Sequence, residues 1–138
     1  MTRILVAIDG SKPSHRALRY LAERKARGET FEAFIVTVLP KILPDRYASK
    51  RFIDAVIKRD TTAIMGNAVV KALVKDLGAH TKVLTGDPSE EIAAYARRAR
   101  CREIVMGTRG LGALGGMILG SVATKVLHRT NVPVTLVR

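Results

Sequence analysis

The chain has 138 residues, 47% of them hydrophobic and 26% charged, a balance that suits one ordinary globular domain, residues 1–138, and leaves little room for a second core. Lysine and arginine outnumber acids 24 to 12, a formal net charge of +12 that is compatible with a solvated basic surface or with a polyanionic partner such as nucleic acid. Aromatic residues make up only 4%, with no Trp, which argues against stacking of single-stranded bases. One cysteine, Cys101, excludes an internal disulfide and suits a reducing compartment.

The apolar start, Met1 to Ile8, is cut by Asp9 and lacks a cleavage site, so no secretory signal is expected. Arg3 to Asp9 reads as a buried parallel strand. Gly10 and Ser11 break it, and Lys12 to Ala26 follows as a helix. Its inward face is Ala17, Leu18, Leu21 and Ala22, while Arg16, Arg19, Arg24 and Lys25 occupy other faces. Pro13 is tolerated in the first turn, and Gly28 supplies the stop. Phe31 to Leu39 is a second strand, and Pro40 and Pro44 punctuate the loop after it. Arg51 to Leu77 carries one long helical pattern, with Gly66 as a kink and Gly78 as its close. His80 to Gly86 is a third strand.

Asp87-Pro88-Ser89-Glu90 is a helix start in which Asp87 caps and Glu90 can complete a capping box. Ile92, Ala93 and Ala96 face inward from that helix, with Arg97, Arg98 and Arg100 turned to water. Glu103 to Gly107 is a fourth strand, Val122 to Arg129 a short helix, and Val132 to Val137 the last strand. Strict alternation of this kind predicts an α/β fold: a single-domain, doubly wound, five-stranded parallel sheet with helices on both faces. Ligands of such sheets bind outside the carboxyl ends of the strands. Asp9, Val38 and the loop from Gly107 all fall there. The most lipid-like stretch, Leu111 to Ala123, is far short of the roughly 20 residues a bilayer helix needs, so no membrane partner is expected.

The segment from Gly107 to Ser121 carries the chemistry. Glycines bring backbone N–H groups close to a ligand, and such concavities bind anions, helped by the positive end of the helix that starts near Ser121. Ser121 can cap that helix or donate its hydroxyl to a phosphate. No Asp or Glu follows Glu103, which suits a polyphosphate. Gly110, Gly112 and Gly115 match the dinucleotide pattern, but the ribose-binding acid about 20 residues on is missing. Gly115 to Gly120 imitates a P-loop, with Ser121 standing in the lysine position. His15, His80 and His128 show no ligand spacing, so no metal site is expected. Cys101 sits between Arg100 and Arg102, which could lower its pKa, although an incidental thiol is the simpler reading.

Gly107, Gly110, Gly120 and Ser121 together form the pattern Gly, two residues, Gly, nine residues, Gly-Ser. With ILVAIDGS at the start and NVPVTLVR at the end, the chain resembles the universal stress protein family over nearly its whole length, least so between Pro40 and Lys75. The resemblance implies an adenine nucleotide alpha hydrolase-like fold and binding of ATP, with Mg2+ held through the phosphates. It implies that Asp9 contacts the ribose with Ala7 nearby, that Val38 meets the adenine through backbone groups, and that Met106 and Gly107 flank the nucleotide. Arg109, Gly110, Gly120, Ser121 and Val122 would surround the phosphates. Asp9 also fits a plain turn or capping role. A homodimer through Val132 to Val137 and a cytoplasmic location are further implications. Without an acid placed by motif near the γ-phosphate, the expected role is a nucleotide-dependent regulator or sensor in the stress response, at most a weak ATPase. The alternatives are a slow ATPase and a basic interaction protein that binds nucleic acid.

Overall fold

A computed structural model describes residues 1–108 and 119–138. The elements run β1 (Arg3–Ala7), α1 (Lys12–Ala26), β2 (Glu32–Leu39), α2 (Lys50–Met65), α3 (Ala68–Leu77), β3 (His80–Thr85), α4 (Pro88–Arg98), β4 (Glu103–Gly107), α5 (Ser121–Arg129) and β5 (Val134–Val137). The five strands form one sheet in the order β3-β2-β1-β4-β5, and every neighbouring pair is parallel. The doubly wound α/β sheet expected from the sequence is therefore the fold of this chain.

Period-two alternation distributes the core between two layers. Ile4 and Val6 of β1 face one side, with Ile35 of β2, where they pack against Ala17, Leu18 and Leu21 of α1 and Val70 and Leu77 of α3. Leu5 of β1, Val36 of β2 and Ile104 of β4 face the other, against Ile92 and Ala96 of α4 and Ala123 and Val126 of α5. The sheet is thus covered on both faces, as its continuous apolar strands require. The chain winds outward from β1 through β2 to β3, then crosses back to β4 on the far side of β1. The switch point, where neighbouring connections leave toward opposite faces, therefore lies at the carboxyl ends of β1 and β4.

Three local readings change. The long helix expected over Arg51 to Leu77 is two helices, because Asn67 starts a new one: its side chain accepts from Val69 N at 2.9 Å and Val70 N at 3.3 Å. Arg24, read only as lying off the apolar face of α1, lies over the rings of Tyr20 and Phe31 and ion-pairs with Glu29 and Glu103. Glu103 also accepts from Thr135 Oγ1 at 2.8 Å, so this network joins α1, β4 and β5. Asp87 caps α4 through Glu90 N at 3.0 Å as expected, whereas the Glu90 carboxylate lies 3.5 Å from Arg129 Nη2.

Candidate functional site

The helices that follow parallel strands begin where those strands end, so the carboxyl side of the sheet gathers strand ends and helix starts. Between them lies a cleft of about 240 Å³. Ala7, Asp9, Val38, Met106, Gly107, Gly120 and Val122 line it, which brings together residues of β1, β2, β4 and α5. Ser121 is exposed and is not among its walls. Arg109 and Gly110, with Gly112, Gly115 and Gly116, lie outside the described residues.

Asp9 closes the end of β1. Gly10 follows at φ +85°, a left-handed conformation that glycine adopts without steric cost. That turn lets Asp9 Oδ1 accept from Ser11 N at 2.9 Å, while Asp9 N donates to Ser14 Oγ at 3.3 Å. Partial burial raises the pKa of the Asp9 carboxyl, but the hydrogen bonds from Ser11 and Ser14 outweigh it and hold the group below its ordinary value. The turn role weighed for Asp9 from sequence is real, and the residue lines the cleft as well.

Gly107 has a packing reason of its own. A Cβ there would overlap the carbonyl carbon and oxygen of Pro13 and lie 2.8 Å from the Pro13 Cβ. The end of β4 thus passes directly beneath the first turn of α1, and only a missing side chain allows it. Met106 is largely buried in the α4–α5 side of the core and reaches the cleft at one edge.

Three helix starts reach the cleft, and they differ. Ser11 caps α1 by accepting from Ser14 N, and Asp87 caps α4. The N-cap of α5 is Gly120, extended at φ −61° and ψ 151°, with no side-chain cap. Ser121 was expected as that cap; it is instead the first helical residue, and Gly120 supplies the extended N-cap backbone without a side-chain oxygen to offer. Among the described residues α5 is the one helix without a capping side chain, since Ser49 and Asn67 cap α2 and α3. Its first-turn amides and positive dipole end are therefore left without an N-cap side chain among the described residues.

Sequence reasoning missed Ser11, Pro13 and Ser14 at the start of α1, Pro88 and Ile92 of α4, and Thr108, all of which line the cleft. The signal was present in the capping motifs. In a parallel sheet each N-cap shares the strand carboxyl end, so every capping motif is a candidate wall. Asp9 is the one carboxylate among the described lining residues, and no cluster of three metal-ligating side chains occurs among the described residues. Cys101 fits the incidental reading and not the lowered pKa its arginine neighbours could have given: it is buried, and burial pushes the thiol up to about 11 despite the field of Arg3. No helix among the described residues is long and apolar enough to cross a membrane.

The profile of the universal stress protein family matches residues 1–138. Universal stress protein YxiE of Bacillus subtilis is 34% identical over 146 residues, covering 99% of this chain and 98% of the relative. The structure of protein MJ0577 of Methanocaldococcus jannaschii superposes with a TM-score of 0.71 at 25% identity, covering 99% of this chain and 94% of that one. A universal stress protein from Archaeoglobus fulgidus, solved in complex with dAMP, superposes with a TM-score of 0.63 at 25% identity over 100% of this chain and 98% of its own.

Proposed function

The chain belongs to the universal stress protein family, and on that premise we propose that it is a cytoplasmic regulator that holds ATP in the cleft at the switch point. The observation that carries this reading is the uncapped start of α5 beside a glycine-rich segment free of carboxylates. An anion is the natural partner of bare helix N-terminal amides, and a polyphosphate supplies several negative oxygens. The dAMP bound by the Archaeoglobus fulgidus relative points to the adenine nucleotide class.

The walls fit the parts of that ligand. Val38, Pro88 and Ile92 offer an apolar seat for a base, with the backbone of Val38 at the end of β2 facing its polar edge. Asp9, ionised and prearranged by the α1 turn, accepts from ribose hydroxyls. At about 240 Å³ the cleft lies just under the range of roughly 300–1,000 Å³ typical of ligand pockets, so it holds base and sugar while the phosphates extend along α5. There Gly120, Ser121 and Val122 donate from the backbone, the Ser121 hydroxyl adds a donor, and Arg109 and Gly110 complete the cradle. None of the residues assigned to the phosphates carries a carboxylate that could orient an attacking water, so Mg2+ would be held through the phosphates and turnover would be slow or absent. Occupancy of the cleft, not hydrolysis, is then the signal.

A homodimer through β5 belongs to this reading. β5 pairs with β4 on one side and ends the sheet on the other, an edge that a second copy can cover.

Mass spectrometry of the purified protein is expected to find AMP, ADP or ATP, and millimolar ATP is expected to raise the melting temperature. Gly120→Val keeps an extended N-cap backbone but crowds the amides, so it should abolish nucleotide binding and leave the fold intact. Wild-type affinity in that variant would refute the cradle, and several turnovers per minute with ATP and Mg2+ would refute a pure binder.

A further inference from the structure

The charge of the chain has a second address. Opposite the cleft, at the amino ends of β1 and β4, the end of α4 and its connection to β4 carry four exposed arginines in six residues; Arg97 borders a separate groove with Glu90, Glu91 and Arg129, which leaves Arg98, Arg100 and Arg102 at this end. Arg100 and Arg102 border a shallow groove with Met1, Thr2 and Arg3. The acids at this end are already committed. Glu32 lies against Arg3 at 3.1 Å and His80 at 2.9 Å, and Glu29 and Glu103 are held by Arg24. None of these three arginines has an ion-pair partner among the described residues, and only Arg98 has a ring beneath it, that of Tyr95.

Arginines in the last turn of a helix complement its dipole, which accounts for Arg97 and Arg98. Arg100 needs another reason. It follows α4 at φ +56°, the left-handed position that Gly28 and Gly78 fill after α1 and α3. A glycine would relieve that backbone, yet the chain keeps a long cation there beside a second one at Arg102.

We propose that this arginine face at the amino end of the sheet is a docking surface for the phosphate backbone of double-stranded nucleic acid, separate from the nucleotide cleft. Guanidinium groups suit phosphates because they donate in pairs. Three unpaired ones at the end of α4 and just after it match a ligand that repeats its phosphates, whereas a mononucleotide would engage one or two. Duplex is favoured over single strands because the half-buried rings beside this face are already engaged, Phe34 stacked on His80 and Tyr95 lying under Arg98. Recognition is therefore of backbone and independent of sequence.

The test measures anisotropy of a fluorescent random-sequence duplex over a salt series. Three phosphate contacts give a slope of log K against log salt of about −2.7, hence roughly 40-fold weaker binding at about 200 mM than at about 50 mM salt. The variant Arg100→Gly/Arg102→Gln removes two contacts, and its slope should fall to about −1 with weaker binding at low salt. Glycine suits the backbone at position 100, so this variant should melt no lower than wild type. A control with the same charge change on α2, Lys50→Gln/Arg51→Gln, should bind as wild type does. Equal loss in both variants assigns the effect to bulk charge and overturns the proposal. So does absence of duplex binding at low salt, or capture by phosphatidylserine vesicles without capture of duplex. ATP affinity should be the same in all three proteins, so this test stands apart from the fate of the cleft.

Discussion

Replacing Gly107 with Ala asks whether the first glycine of the spaced motif serves ligand or fold. The added methyl would overlap the backbone of Pro13, and neither β4 nor the first turn of α1 can yield freely. β4 is bonded to β1 and β5 on both sides, and Pro13 is held by the Ser11 cap. Overpacking of this kind costs about 1–3 kcal/mol, and the lower entropy of the unfolded alanine chain returns about 0.4–1 kcal/mol. A net loss of about 1–2 kcal/mol corresponds to a fall of roughly 4–8 °C in melting temperature for a chain of this size. Urea and thermal denaturation of nucleotide-free protein read it directly. Because Pro13, Ser11 and Asp9 all border the cleft, the shift in α1 should also weaken ATP binding, as a secondary loss. An apo stability within about 0.5 kcal/mol of wild type, with ATP binding abolished, would refute the packing argument and return Gly107 to the ligand alone.

Asn67→Ala removes the cap that splits the long helical pattern and should cost about 1 kcal/mol, read by urea denaturation; an unchanged midpoint would mean the break is set elsewhere. Asp9 has a folded pKa below its unfolded value, so its contribution is present above about pH 4 and is lost as pH falls through the folded value. Asp9→Asn should therefore flatten the acid limb of the stability profile, and it should weaken ATP binding at neutral pH; identical acid limbs would remove the case for a prearranged carboxylate. Cys101, buried with a thiol pushed up to about 11, should resist maleimide at pH 7.5 in native protein and react once unfolded, as followed by intact mass. Rapid native labelling would show that this part of the core opens.

The alternating apolar strands and the helices between them were legible because their periodicity is local: Ile4, Leu5 and Val6 announce a buried strand without reference to anything else. The cap of α4 at Asp87 was legible for the same reason. The spacing of Gly107, Gly110, Gly120 and Ser121 pointed to the family and to the region of the site. Which of those residues meet was a matter of tertiary structure. Asp9 and Gly107 share one cleft only because β1 and β4 lie side by side at the switch point, and Pro88 and Ile92 join them only because α4 packs beside α5. Packing also decided that Gly107 makes room for Pro13, that Arg24 turns inward to two glutamates, and that burial outweighs the arginines around Cys101. These outcomes depend on contacts between segments far apart in the chain, and a local pattern of hydrophobicity or turn chemistry holds no record of who its distant neighbours are.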